Sequence, residues 1–248
     1  MPINDESLST IYEKNRTSEL LSDTMNVDPI TNYPVETPQA RGKILEILQE
    51  AINANKSVIF IDADIDNLKV LNDVLGHKVT NIGIKKVIQE KENVLLNMEE
   101  TASVLFYRPQ AGGDEFKVML FLSDTSEEEN IKQKLWNVLK QDTNFKPEDK
   151  ANVNIGCSYG ITMKKLNGDE NPGRLLQEME SQAEERLVGE KMNKITQKLN
   201  ETIESGTSLD TNAYIELIVS EWGSRRMGNE VLKTILFSVL NKARNEKN

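Results

Sequence analysis

The 248-residue sequence has little cysteine, a deficit of positive charge and no long apolar run. Its lone cysteine, Cys157, cannot form an intramolecular disulfide, which fits a reducing cytoplasm. Cys157 lies in the apolar run VNIGCSYGIT and is interpreted as a buried, inert thiol. No apolar stretch approaches the roughly 20 residues that span a membrane, and the polar N-terminus lacks the pattern of a secretion signal. We therefore expect a cytoplasmic protein with no membrane partner.

Charge narrows the classes of partner. The formal net charge is −10, from 30 Lys and Arg against 40 Asp and Glu, so the surface as a whole repels phosphate. A protein that binds duplex nucleic acid is not expected. Small anionic substrates remain open, because a bound divalent cation can dominate the local field. The length allows one domain of about 150 to 200 residues and an appendage.

The chain divides into segments of different composition. Residues 1–27 are polar and are interpreted as a leader, too short to form a sensor domain. Residues 28–204 have the apolar periodicity of one folded domain. The stretch SGTS, 205–208, is typical of a linker, and residues 209–246 predict two amphipathic helices in a C-terminal appendage.

Apolar patterns predict the order of elements within the domain. Helical spacing predicts a helix over 39–54, a short helix that Gly76 ends, and a further helix over about 80–98. The run SVIFIDAD over 57–64 predicts a buried strand, and ASVLFYRPQ and EFKVMLFL predict a hairpin around AGGD. A charged helix, the strand VNIGCSYGIT and a helix after Pro172 follow. We expect an α+β fold, with helices over one side of a sheet.

Carboxylates are concentrated at strand ends. Asp114 and Glu115 lie at the tip of the predicted hairpin, and Asp64 ends the buried run SVIFIDAD. If these ends meet, the carboxylates would repel one another unless a cation lay between them, and oxygen ligands suit Mg²⁺ or Mn²⁺. Gly112 and Gly113 would allow unusual torsions and close approach of a ligand. The alternative is an ordinary polar turn.

Several motifs in order resemble one family. GGDEF at 112–116 resembles the signature of the GGDEF family, the diguanylate cyclases. DPIT at 28–31 is similar to the family's D-x-L-T, DIDNLKVLNDVLGH at 64–77 to D-x-D-x-F-K-x-x-N-D-x-x-G-H, and CSYGIT at 157–162 to S-x-G-I. The resemblance covers about residues 28–200. It implies a fold similar to the palm of polymerases and adenylyl cyclases, with a central, mostly antiparallel sheet and flanking helices.

The resemblance also implies a reaction. Two purine nucleoside triphosphates would be joined into a 3′,3′-cyclic dinucleotide, with release of pyrophosphate. Asp64, Glu115 and the carbonyl of Ile65 would hold Mg²⁺ or Mn²⁺, and Asp114 would lie near the attacking hydroxyl. No histidine base is needed, which suits a chain with one histidine. Two half-sites must face each other, so the active form implied is a homodimer.

Further residues match the family's nucleotide contacts. Lys69 matches a lysine near the phosphates, and Lys191 matches the lysine of the family's A-D-x-A-L-Y-x-A-K. Asn72 matches a base-reading asparagine. Asn81 stands where the family has aspartate, and its amide suits adenine as well as guanine. Cyclic di-GMP is the first expectation from family frequency alone, and cyclic di-AMP or cyclic GMP–AMP is the alternative.

The chain also departs from the family pattern. The arginine expected two places before the first glycine is Gln110, with Arg108 offset, and product inhibition is not expected because Ser103 and Phe106 replace the regulatory R-x-x-D. These departures resemble minimal CRISPR-polymerase-like cyclases. They also keep open a catalytically inactive module that binds a nucleotide. Further departures are Val35 and Glu36 in place of Asn-Arg, and Ile195 in place of a phosphate-binding arginine that Lys194 or Lys198 would have to replace.

Overall fold

The computed structural model describes residues 26–123, 128–148 and 151–204. Most of the polar leader, the SGTS linker and the predicted helices over 209–246 lie outside the described residues. Helices and strands follow one another in this order: α1 Pro38–Asn53, β1 Ser57–Ile65, α2 Leu68–Leu75, α3 His77–Leu96, β2 Thr101–Tyr107, β3 Glu115–Leu122, α4 Glu128–Leu139, β4 Thr143–Phe145, β5 Val153–Ile155, β6 Cys157–Lys165 and α5 Pro172–Glu204.

A four-stranded antiparallel sheet forms the centre of the domain. Its strand order is β2-β3-β1-β6, and β4 and β5 form a separate two-stranded sheet. The predicted hairpin is the β2–β3 pair. Strand β1 lies between β3 and β6, and its last residues pair with the first residue of β3 and the first residues of β6. The predicted α+β class with a mostly antiparallel sheet is confirmed.

Strand β1 is buried on both faces. All nine of its residues are buried, and successive side chains alternate between two cores. Ile59 and Ile61 pack with apolar residues of α2, α3 and α4, whereas Val58 and Phe60 pack with those of α1 and α5. The expectation of helices on one side only is therefore wrong. A strand with a continuous apolar run, such as SVIFIDAD, carries apolar side chains on both faces, so each face must pack against other residues.

Two boundaries differ from those predicted. The run VNIGCSYGIT is not one strand, because it divides at Gly156 into β5, which pairs with β4, and β6, which pairs with β1. The short strand β4 was not predicted. Helix α3 begins at His77, earlier than expected, because Gly76 alone separates it from α2. Gly76 has a φ of 82°, a conformation that glycine adopts without strain.

Cys157 is buried at the start of β6. Burial is the main cause that raises the pKa of its thiol to about 12. The interpretation of this cysteine as a buried thiol is confirmed. None of the helices in the described ranges combines the length and the apolar character needed to cross a membrane.

Helix α5 packs against β6 at Gly160 without space for a side chain. A Cβ atom at this position would lie 1.7 Å from the carbonyl oxygen of Ala183. Helix and strand backbones are therefore in direct contact, which sets the distance of α5 from the sheet.

We expect Gly160→Ala to lower the free energy of unfolding by about 3 kcal/mol, because the methyl group must push α5 away from β6. Gly189→Ala on the same helix is the matched control, since its Cβ would meet no atom within 4 Å. That control should raise stability by up to about 1 kcal/mol. Urea unfolding measures both variants, and equal stabilities would contradict the close contact.

Candidate active site

The register of β1 and β3 brings three carboxylates together. Asp64 is the cross-strand partner of Glu115, and the amide of Ile65 donates to the carbonyl of Asp114 at 3.0 Å. One carboxylate oxygen from each of Asp64, Asp114 and Glu115 lies within 4.8 Å of the others. Residues some fifty positions apart thus meet at one end of the sheet. Oxygen atoms at this spacing are a donor set that fits Mg²⁺ or Mn²⁺.

Negative charge exceeds positive charge in the carboxylate cluster and its direct contacts. Asp64 is buried, and burial is the main cause that raises its pKa to about 7. Asp114 and Glu115 raise the pKa further, while Lys191 opposes the shift. The Nζ atom of Lys191 lies 2.7 Å from an oxygen of Asp64, so one buried ammonium partly neutralises the cluster. A cation between the carboxylates would relieve the remaining repulsion.

The turn before Glu115 is fixed from two directions. Gly112 has a φ of 74°, as its place in the sequence led us to expect, and its amide donates to Asp28 at 2.6 Å. From the other direction, the guanidinium of Arg108 donates to the carbonyl of Gly113. Asp28 and Arg108 are both fully buried. A buried aspartate and a buried arginine therefore both hydrogen-bond to the turn.

Asp28 also organises its own segment. Its Oδ1 atom accepts from the amides of Ile30 and Thr31 and from the hydroxyl of Thr31. The motif DPIT has the sequence of such a turn, since aspartate and threonine side chains bond to nearby backbone amides. Its contact with the glycine turn joins residues far apart in the chain and could not be predicted from that motif.

The charge of Arg108 has no full set of partners. Its Nε and Nη1 atoms are buried and have no hydrogen-bond partner among the described residues. Burial is the main cause that lowers the pKa of this guanidinium, and Asp28, Asp114 and Glu115 oppose the shift. The sequence pattern marked Arg108 only as an offset arginine, and its contact with the carbonyl of Gly113 was not predicted.

The predicted nucleotide contacts lie on neighbouring helices. Lys69 is exposed on α2, Asn72 is half-buried on the same helix, and Asn81 is half-buried on α3. None of them belongs to the carboxylate cluster. The Oδ1 atom of Asn72 is buried and has no hydrogen-bond partner among the described residues. It is an acceptor that a bound donor could satisfy.

The resemblance places a phosphate-binding arginine at the position of Ile195 and makes Lys194 a candidate to replace it. In the structure both side chains have other contacts. Ile195 is buried in contact with the fold's interior, where it cannot reach a phosphate. Lys194 is half-buried, and its ammonium contacts Asp66. Asp66 was not among the predicted site residues, although it follows Ile65 directly.

A family model for the diguanylate cyclase GGDEF domain matches residues 26–197. The Escherichia coli (strain K12) protein named "Probable diguanylate cyclase DgcJ" is 28% identical over 185 residues, which are 73% of this chain and 31% of DgcJ. The chain thus spans about a third of the length of this relative.

Solved structures also resemble this chain. The diguanylate cyclase SiaD of Pseudomonas aeruginosa, solved in complex with its activator SiaC, matches with a TM-score of 0.48 at 18% identity, over 75% of this chain and 65% of SiaD. The GGDEF domain of TpbB (YfiN) from the same species matches with a TM-score of 0.49 at 22% identity, over 67% of this chain and 88% of that domain.

We expect Asp28→Ala to lower the free energy of unfolding by about 3 kcal/mol, because it leaves buried amides without an acceptor and Arg108 without its neighbouring charge. Asp73→Ala, at an exposed position on α2, is the control and should change stability by less than about 0.5 kcal/mol. Denaturant titration compares the two variants. Equal effects would show that Asp28 does not hold the turn.

Proposed function

The chain belongs to the diguanylate cyclase GGDEF-domain family, and we propose that it is a nucleotidyl cyclase that depends on Mg²⁺ or Mn²⁺. It would condense two purine nucleoside triphosphates, GTP first among them, into a 3′,3′-cyclic dinucleotide. With GTP the product is cyclic di-GMP. The observation that carries the proposal is the convergence of Asp64, Asp114 and Glu115 at the paired ends of β1 and β3.

The chemistry is the same at each of the two new bonds. The 3′-hydroxyl of one nucleotide gives up its proton to water as its oxygen bonds to the α-phosphorus of the other, the bond from that phosphorus to the bridging oxygen breaks, and pyrophosphate leaves with the electron pair. Asp64, Glu115 and the carbonyl of Ile65 would hold the divalent cations. The chemistry that these cations supply is polarisation of the α-phosphate and neutralisation of charge on the leaving group. Asp114 would orient the attacking hydroxyl.

Lysines and glycines would hold the triphosphate. Lys191 is buried beside Asp64, where its ammonium would meet phosphate charge close to the cations. Lys69 is exposed on α2 and would contact the phosphates from that side. A Cβ atom at Gly112 would meet nothing within 4 Å, so the space beside the turn is open for a ligand. A Cβ atom at Gly113 would lie 3.3 Å from Nε2 of Gln110, so a triphosphate that approached Gly113 would also meet that side chain.

Asn72 and Asn81 would read the base. The unpartnered Oδ1 atom of Asn72 supports this role, because an exocyclic amine of a purine could donate to it. Asn81 offers both a donor and an acceptor, so its amide suits adenine as well as guanine. An adenine-containing cyclic dinucleotide is therefore the alternative product.

The reaction requires two copies of the site. Each nucleotide must attack the α-phosphate of the other, so we propose a homodimer as the active form. Residues 209–246, which lie outside the described residues, are the candidate dimer contact, and packing against their own catalytic domain is the alternative role.

A second candidate function is a module that binds a nucleotide without turnover. The burial of Ile195 favours it, because the position that carries a phosphate-binding arginine in the family pattern here belongs to the core. The complete set of three carboxylates favours the enzyme.

Incubation with Mg²⁺ or Mn²⁺ and with GTP, ATP or their mixture, followed by mass spectrometry, tests the proposal. We expect a cyclic dinucleotide, and Glu115→Gln should lower its rate of formation by at least about 100-fold. Glu178→Gln, at an exposed position on α5, should retain the wild-type rate. Bound nucleotide without product in every mixture would instead support the binding module.

Base choice has a separate test. We expect Asn81→Asp to raise the preference for GTP over ATP by about tenfold, because a carboxylate accepts from two donors on guanine and repels the acceptor on adenine. Competition between the two nucleotides in one reaction measures this ratio. Asn93→Asp, at an exposed position on the same helix, is the control. An unchanged ratio in Asn81→Asp would remove Asn81 from base recognition.

A further inference from the structure

Helix α5 carries a polar row that bonds to the outer edge of β6. The row consists of Arg186, Glu190 and Lys194, which are spaced four residues apart and so share one face of the helix. Arg186 donates to the carbonyl of Ile161, and Glu190 accepts from the amide of Tyr159. Strand β6 is at an edge of the central sheet, so these main-chain groups have no partner strand on that side within the described sheet.

Lys194 differs from Arg186 and Glu190 because, besides its bond to β6, it contacts Asp66. Its Nζ atom donates to the carbonyl of Cys157 at 2.7 Å and to Oδ2 of Asp66 at 2.8 Å. The carboxylate of Asp66 is also bonded on its other oxygen, where the hydroxyl of Ser158 donates at 2.7 Å. Lys194 thus connects α5 to the chain that leaves β1.

Asp66 is held on its backbone as well. Its amide donates to the carbonyl of Gly156 at 3.0 Å. The next residue, Asn67, has a φ of 57° and precedes α2 directly, so Asp66 lies in the short connection between β1 and α2. Asp66 is thus held in this connection by its backbone amide and by its side-chain contacts with Lys194 and Ser158.

The position of Asp66 determines the geometry of the carboxylate cluster. The peptide between Ile65 and Asp66 carries the Ile65 carbonyl, and Asp64 precedes it by one residue. The amide of Ile65 is already bonded to Asp114. A rotation at Asp66 would therefore turn the Ile65 carbonyl and disturb the cluster that Asp64 and Asp114 share.

We propose that Lys194 is a positioning residue for the divalent-cation site, acting through Asp66, and is not a ligand of the triphosphate. This inference rests on the proposed function, because it concerns the same cation site. Two of the three N–H donors of the Lys194 ammonium are directed at Asp66 and Cys157. A lysine bound in this way would orient the residues next to the cation site without contacting the cation or the triphosphate.

The sign of the effect separates positioning from simple electrostatics. Removing a positive charge near a cation site should, by Coulomb's law alone, strengthen cation binding. A positioning role makes the opposite prediction, because loss of the support weakens the site. Loss of an outer residue that orients metal ligands lowers metal affinity by about tenfold or more.

The test measures the binding of Mn²⁺ to the full chain by electron paramagnetic resonance, in the absence of nucleotide. We expect Lys194→Met to raise the Mn²⁺ Kd by about tenfold and Lys194→Arg to restore most of the affinity. Arg186→Met is the matched control, since it removes the same kind of bond to β6 but does not touch Asp66. It should change the Mn²⁺ Kd by less than about twofold.

A double-mutant cycle tests whether Lys194 acts through Asp66. In an Asp66→Ala background, which lacks both acceptor oxygens, Lys194→Met should have little further effect on the Mn²⁺ Kd, because the contact is already lost. An undiminished effect in that background would overturn the route through Asp66. If Lys194→Met does not fold, as circular dichroism would reveal, Ser158→Ala removes the opposite support of Asp66 and should also weaken Mn²⁺ binding.

Nucleotide binding distinguishes the other outcomes. With saturating Mn²⁺, Lys194→Met should bind the non-hydrolysable analogue guanosine 5′-[(α,β)-methylene]triphosphate with unchanged Kd. A weaker Kd for this analogue with unchanged Mn²⁺ binding would make Lys194 a phosphate ligand and overturn the inference alone. Absence of Mn²⁺ binding by a wild type that still forms a cyclic dinucleotide would overturn the inference alone, whereas absence of both Mn²⁺ binding and product would overturn the proposed function.

Discussion

Repulsion between carboxylates held at the end of a doubly buried strand is the constraint on which this site depends. Strand β1 cannot slide against β3, because a shift of one residue would exchange the side chains that its two faces bury. Asp64 must therefore stay opposite Glu115, with Asp114 beside it. Two positively charged side chains partly offset this repulsion. Lys191 contacts Asp64 directly, and Arg108 donates to the turn. The remaining repulsion among carboxylate oxygens within 4.8 Å of one another favours a cation.

Much of the fold could be predicted from local patterns. The continuous run at β1, the hairpin around the glycine turn and the periodic apolar residues of α1 and α5 all form the expected elements. Strand β4 was missed because three residues are too few to show a period. The split at Gly156 was missed because the residues on both sides are strand-like, and only their partners differ. The expectation of helices on one side failed because the apolar run at β1 already required two covers.

In the candidate site, too, local sequence predicted some features, whereas contacts between distant segments of the chain were not predicted. Asp64, Asp114 and Glu115 were predicted to meet, because strand ends in an open sheet share an edge. The contacts of Asp28 with Gly112 and of Lys194 with Asp66 were not predicted, since each joins segments far apart in the chain. Their residue types, an aspartate in a turn motif and a lysine on a helix, are common at the surface. Only the fold brings them into contact with the segments that carry the acids.

The polar row on α5 also bears on how molecules of this protein meet at high concentration. An exposed edge strand is a template on which a strand of another molecule can grow, and such growth is a common start of aggregation. A foreign strand that approached β6 would have to displace the hydrogen bonds that Arg186 and Lys194 donate and the one that Glu190 accepts, all of which involve a charged group. Charged side chains that bond to their own edge strand thus discourage strand exchange between neighbouring molecules.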